Sequence, residues 1–423
     1  MIKLEKFIQW GLLVIVALMP VHAFLSVSLG HAFGNQTYIQ AWKEVLLLIL
    51  AAAAVLLVIR EPERLRRLRQ PWILAAGAFI VLGLITTAIF RPEPLATAFG
   101  LKTNFGFLLA AFLAVLCASQ AFVQKLIWVV LAGAAVVTGF GLVQIFLLPP
   151  NFLEAFGYGP DTILPYHYIA AGSDFLRFPS TLGGPNQLGT YLILPLCLSL
   201  ALFIKNFRQR HSLWYGALFI ACLICLFYTF SRGAWLGATA ALALTLAIVL
   251  PAKLRRPAAI TGAILLIAVL SAIPYALQKD SPLQYLILHS SVEDHHEPVQ
   301  SDSLHALSLQ DGVEAVIDEP LGHGLGTAGP ATFHVGETNI IENYYLQLGY
   351  EIGLLAILLF LFCCGALVWT LLRYGAHSPL ALAAAATVVG VSVVSIVLPA
   401  WVDSTTALIT WITAGAVTGI RRV

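Results

Sequence analysis

An all-α polytopic membrane protein is the fold class this sequence predicts, with about twelve transmembrane helices, both termini cytoplasmic, and one long outer loop with short helices before the tenth span. Three observations predict it. Hydrophobic residues make up 59% of the 423 and charged residues only 10%, and the mean hydropathy is +0.88, far from the composition of soluble globular chains. Apolar runs long enough to cross ~30 Å of hydrocarbon recur along the whole chain. The basic residues also collect on one side of those runs.

The predicted spans fall near 7–29, 42–59, 72–90, 98–119, 126–148, 187–204, 213–230, 235–252, 258–276, 344–372, 379–399 and 403–419. Lys3 and Lys6 before the first run and "VHA" at its end also fit a signal peptide. The many later spans need no cleavable signal, so the first run is read as a helix. With a cytoplasmic N-terminus, "REPERLRRLRQ", "KNFRQRH" and "KLRR" all fall inside, and seventeen of the twenty-three Lys and Arg residues lie there. Eighteen of the twenty-one acidic residues then lie on the outer half. The chain reads as one transmembrane domain, 1–423, with outer loops at 149–186 and 277–343.

All six cysteines sit inside apolar runs, so no disulfide framework is indicated, and the C-x-x-C spacing of Cys222 and Cys225 reads as packing. A nucleotide site is not expected either. The Gly-rich "GHGLGTAGP" lacks the G-K-[ST] ending of a phosphate-binding loop. "EDHHE" at 293–297 has ligand-type side chains, but adjacent residues point in different directions, and a solvated acidic loop is the simpler reading. No metal, cofactor or nucleic-acid partner is expected.

Six basic residues remain outside: Lys43, Arg91, Lys102, Arg177, Arg232 and Lys279. Lys43, Arg91 and Lys279 stand near span ends, where the long side chain reaches the interface. Arg177 and Arg232 differ, because "LRFPSTLGGPNQLG" and "FSRG" are turns that enter or leave the bilayer. In the longer loop, Leu304, Leu307, Val313, Val316 and Ile317 approximate helical spacing, which predicts an amphipathic helix ended by Pro320. Glu342 and Asn343 follow at the mouth of the tenth span, and Glu351 lies two turns further in, where an ionisable group is costly.

Four stretches in order resemble the O-antigen ligase and O-antigen polymerase superfamily: "RFPSTLGGPNQLGTYL" at 177–192, "FSRGAWLG" at 230–237, "DEPLGHGLGTAGP" at 318–330 and "ENYYLQLGYEIGLLA" at 342–356. The resemblance covers residues 170–370, with the first four spans matching by hydropathy only. It implies a membrane glycosyltransferase of the bacterial inner membrane whose active site faces the periplasm. The donor would be a glycan on undecaprenyl diphosphate, and the acceptor a lipid A core sugar for a ligase or another lipid-linked unit for a polymerase. It further implies that outward arginines hold the diphosphate, which maps onto Arg177 and Arg232, and that no metal is obligatory. The sequence departs from the family at two places. Glu342 stands where a histidine usually precedes the tenth span, and His305 where the loop helix usually carries an arginine.

Chemistry runs parallel to the resemblance. A departing diphosphate needs charge neutralisation, and guanidinium groups give permanently charged, bidentate donors. The acceptor hydroxyl needs a base, for which Glu342 is the first candidate, His305 the second and His323 the third. Lys102, at the outer start of the fourth span, is a supplementary phosphate contact. The ligase is favoured within the enzyme reading, with the polymerase as alternative. A lipid-linked glycan transporter would line a midplane path with polar residues and often show paired repeats, whereas the polar residues here gather at the outer rim. A non-catalytic scaffold would tolerate loss of Arg232 and Glu342.

Overall fold

The computed structural model describes residues 2–169, 175–251, 253–254, 301–336, 339–375 and 378–420. The ninth predicted span, Lys279 and the "EDHHE" stretch lie outside the described residues. Sixteen α-helices are seen within them: α1 (Ile2–Leu18), α2 (His22–Phe33), α3 (Gln36–Gln40), α4 (Trp42–Arg60), α5 (Pro71–Phe90), α6 (Pro94–Leu116), α7 (Gln120–Phe146), α8 (Pro185–Tyr191), α9 (Ile193–Lys205), α10 (Ser212–Tyr228), α11 (Arg232–Val249), α12 (Ser301–Asp318), α13 (Tyr344–Ile352), α14 (Leu354–Gly375), α15 (Pro379–Val394) and α16 (Ser404–Thr418). A two-residue hairpin, β1 (His167–Tyr168) with β2 (Leu176–Arg177), stands in the first outer loop.

Local sequence accounts for many of the helix starts. Proline opens α5, α6, α8 and α15, where its missing N–H costs nothing. Glu93, Ser119, Asn343, Ser378 and Asp403 accept first-turn amides as N-caps. Among the described residues, eight helical segments are long and apolar enough to cross a membrane, and α10 and α15 are shorter apolar helices. Eleven of the twelve predicted runs are helical to within a few residues.

The first and tenth runs depart from the expectation of single rods. A short 3-10 turn at Met19–Val21 separates α1 from α2. Gly353, at φ 105°, separates α13 from α14; a Cβ there would meet the Pro320 carbonyl oxygen at 2.7 Å. The membrane-length segment therefore begins at Leu354, and Glu351 is at the end of a short preceding helix.

Helix packing follows membrane rules, with small residues at the closest crossings. A Cβ on Gly237 of α11 would fall 2.5 Å from the Gly390 carbonyl oxygen of α15, and Gly415 of α16 lies against the Ala111 carbonyl of α6. Almost every residue of α15 and α16 is buried, which makes them central. Trp72, Phe107, Phe360, Trp401 and Trp411 interlock beside them, with ring centroids 5.3–6.3 Å apart. Leu48, Leu74, Trp128 and Phe362 point outward, as lipid-facing side chains do.

The basic turn after α4 closes one end of this bundle. Arg64 pairs with Glu5 at 2.5 Å and Glu61 at 2.6 Å. Arg64 and Arg67 also donate to the Leu116 carbonyl at the C-terminal end of α6, where the helix dipole favours cations. Lys102 lies towards the other end of the same helix.

Candidate active site

The sharp turn between α10 and α11 positions Arg232. Phe230 adopts the left-handed region at φ 47°, uncommon for a bulky residue. Its ring packs against Phe175, with centroids 6.2 Å apart. The Ser231 amide donates to Thr229 Oγ1 at 3.2 Å, and Trp235 Nε1 donates back across the turn to the Leu226 carbonyl at 2.9 Å. Stacking of Trp235 on Phe227 completes the clasp, with rings 5.8 Å apart and 7° from parallel. The turn delivers half-buried Arg232 as the first residue of an 18-residue helix, where the macrodipole favours anions.

Arg177 meets the same turn from the hairpin. Its Nε donates to the Thr229 carbonyl at 2.7 Å and its Nη2 to Asn186 Oδ1 at 2.7 Å. These bonds lock the guanidinium between the α10–α11 turn and the start of α8. No described residue partners Nη1. Burial, and then the Arg232 charge beside it, pull the Arg177 guanidinium down to about 10, which leaves it cationic at neutral pH. Two arginines 55 positions apart in sequence thus meet, half-buried, at one helix N-terminus. Their tendency to repel is offset when an anion lies between them.

Two further residues stand beside these arginines. Asn186, whose sequence context reads as packing and turn chemistry rather than catalysis, accepts directly from Arg177. His167 carries no motif, and only the ladder pairing His167↔Arg177 brings it to the site.

The candidate base stands on the far side of the turn that follows α15. Asn343, not Glu342, caps α13: its Oδ1 accepts from the Tyr345 and Leu346 amides at 2.9 and 3.0 Å. Asn343 Nδ2 donates to the Ile396 carbonyl at 2.8 Å, and the Tyr344 amide to the Ser395 carbonyl at 3.0 Å. The same turn touches the start of α11, since a Cβ on Gly233 would meet Val397 Cγ2 at 2.9 Å. Glu342, directly before the cap, and Arg232, directly before Gly233, therefore flank the residues following α15. Glu342 is half-buried, and its amide donates to Ser308 Oγ of α12 at 3.3 Å. His305 falls one turn before Ser308 on that helix.

The other sequence candidates join different neighbours. His323 stacks on Tyr350, with centroids 4.0 Å apart. Its Nε2 lies 2.9 Å from Glu319 Oε2 and its Nδ1 3.0 Å from the Tyr350 carbonyl, so both ring nitrogens are engaged in holding the loop. Lys102 pairs with Glu44 at 3.6 Å and lies over the Phe99 ring. Glu44 also pairs with Lys43 at 3.2 Å. Lys43 itself does not reach for the interface as its span-end position suggests. It is 4% exposed and bonded to His22 Nε2 and the Gln40 carbonyl, a separate knot of α2, α4 and α6.

Glu351 is a brace. Fully buried, it accepts from Asn104 Nδ2 at 2.8 Å, the Gly326 amide at 2.9 Å and the Ala328 amide at 3.4 Å. Tyr344 OH donates to Asn104 Oδ1 at 3.3 Å and extends the network. The Gly-rich loop is thereby strapped across α13 and α6. Gly326, at φ 87°, lies so close to the Ala96 backbone that no Cβ fits. The loop that resembles a phosphate cradle is a packed structural strap.

None of the curated proteins matches the chain. The family model described as O-antigen ligase matches residues 217–361, a stretch that runs from within α10 through the Arg232 turn and the loop helix α12 to the Glu342–Glu351 segment. Over that stretch the chain matches the O-antigen ligase family, which contains three of the four motifs and bears out the resemblance to the O-antigen ligase superfamily, while the first motif, at 177–192, lies outside the match.

Proposed function

We propose that the protein transfers a glycan from an undecaprenyl-diphosphate carrier to an acceptor hydroxyl at the periplasmic face of the bacterial inner membrane, acting as a ligase that joins O-antigen to lipid A core. The observation that carries this reading is the convergence of Arg177 and Arg232 at the N-terminus of α11. A diphosphate is the group such a pocket suits: two permanent cations with planar forks, backed by the positive end of a helix.

In the step proposed, the bond between the sugar's anomeric carbon and the diphosphate oxygen breaks, and the electron pair leaves with the lipid diphosphate. The acceptor oxygen forms the new bond to that carbon and gives its proton to the Glu342 carboxylate, with His305 the second candidate for that task. The arginines stabilise charge that grows as the bond breaks, and groups so placed are each worth ~3 kcal/mol, or ~10²-fold in rate. The reading gives charge neutralisation to guanidinium groups rather than to a metal ion. Arg177 is braced by Thr229 and Asn186, so its donors need no reorganisation in the reaction.

The test is reconstitution in liposomes with a lipid-linked glycan donor and two acceptors offered separately. Glycan joined to lipid A core supports the ligase. Growth of the lipid-linked units instead assigns a polymerase, the reading kept as alternative. If neither product forms while donor crosses the bilayer, transferase activity is refuted in favour of transport.

A further inference from the structure

Within the arginine pocket, two buried polar atoms have no partner among the described residues: His167 Nδ1 and Ser231 Oγ. Buried polar atoms are nearly always hydrogen-bonded, so such orphans call for an explanation. Each stands beside one of the two arginines. Ser231 is 2% exposed, occupies the N-cap of α11 directly before Arg232, and makes no capping bond with its side chain, although serine is a preferred cap. His167 is directly opposite Arg177 in the antiparallel ladder, and opposed residues project from the same face with Cβ atoms ~5 Å apart. Tyr166 and Tyr168 take the other face by alternation, and Tyr168 is 54% exposed.

We propose that His167 is a third contact of the donor diphosphate and takes up a proton as that anion binds, so that donor binding is proton-linked; this rests on the arginine-pair reading above. A neutral imidazole suits this site before the anion binds, because a third cation beside Arg177 and Arg232 is unfavourable. The diphosphate brings two negative charges and reverses the balance: protonated His167 then donates from Nδ1 to a phosphate oxygen, while Ser231 O–H donates to another.

The electrostatics agree in sign. Burial first, and then the Arg177 charge, hold the free imidazole below its ordinary 6.5. The charged group facing it is Arg177 from β2; Arg232 of α11 acts on Arg177, whose neutral partners are Asn186 and Thr229. Bound anion raises the imidazole value. A proton is therefore taken up at pH values between the free and bound values, and binding weakens as pH rises through that window.

The probe is diethyl diphosphate with one ethyl on each phosphate, whose two charges do not titrate near neutrality, so that any proton uptake belongs to the protein. Binding is followed by calorimetry on the full chain in detergent, in two buffers of different ionisation enthalpy, across pH. We expect uptake approaching one proton per probe bound, and an affinity that falls up to ~10-fold per pH unit within the window. His167→Gln keeps a donor but cannot titrate, so its uptake is lost, whereas Glu342→Gln keeps it. Probe binding without uptake in the wild type overturns the proposal, as does undiminished uptake in His167→Gln. Absence of probe binding in the wild type overturns the arginine-pair reading itself and this inference with it. Should His167→Gln fail to fold, uptake in the wild type together with its loss in Glu342→Gln assigns the proton to the carboxylate and overturns the proposal, and its retention there supports it.

Discussion

Replacing Arg177 by lysine keeps the charge and removes the fork, and the structure sets the size of the effect. Arg177 spends Nε on the Thr229 carbonyl and one Nη2 hydrogen on Asn186 Oδ1, and no described residue partners Nη1. A lysine has one nitrogen for all three tasks. It either satisfies the turn or reaches the diphosphate, but the rigid geometry that permits both is lost. A hydrogen bond from a charged donor is worth ~1.5–3 kcal/mol, and a positioned donor to developing charge ~3 kcal/mol. Arg177→Lys should therefore lose ~2–4 kcal/mol of transition-state stabilisation, which is ~30- to 10³-fold in kcat/KM. The Asn186→Ala variant leaves the guanidinium but frees one of its two braces, and ~1–1.5 kcal/mol, about tenfold, is expected. The assay is glycan transfer in proteoliposomes with donor concentration varied, alongside a thermal unfolding curve of each variant in detergent. The reasoning is refuted if Arg177→Lys folds and transfers within threefold of the wild type, because a point charge would then do what the fork is said to do.

Three further outcomes follow from the same geometry. Glu342→Gln removes the proposed proton acceptor without changing shape, and a loss of ~10²-fold in kcat with unaltered unfolding temperature is expected; full rate in that variant ends the carboxylate-base proposal. Glu351→Ala leaves the Gly326, Ala328 and Asn104 donors buried without an acceptor, so a destabilisation of ~3 kcal/mol or more should appear as a lowered unfolding temperature in detergent; unaltered stability contradicts its role as a brace. Lys102→Ala should change transfer less than ~3-fold, because exposed ion pairs such as its contact with Glu44 contribute little; a loss comparable to Arg177→Lys would return Lys102 to the diphosphate site.

The sequence by itself determined the class of the protein and the positions of its helices. Length and hydropathy are local properties, so among the described residues the runs from 42–59 to 235–252 and from 344–372 to 403–419 could be read directly, and Pro71, Pro94, Pro185 and Pro379 mark helix starts by the same local logic. It also singled out Arg177 and Arg232, because an arginine in a Gly- and Pro-rich turn at the end of an apolar run is costly without a purpose. Tertiary structure alone decided which candidates meet. Nothing local to "FSRG" specifies that the Thr229 carbonyl accepts from Arg177, that Lys102 turns to Glu44, or that Glu351 binds the amides of a loop 25 residues before it. His167 was invisible for the same reason, since a two-residue ladder alone places it opposite Arg177 ten positions later. Which polar groups converge depends on helix crossings set by small residues such as Gly237 and Gly390, and a crossing is a relation between distant segments that no local period encodes.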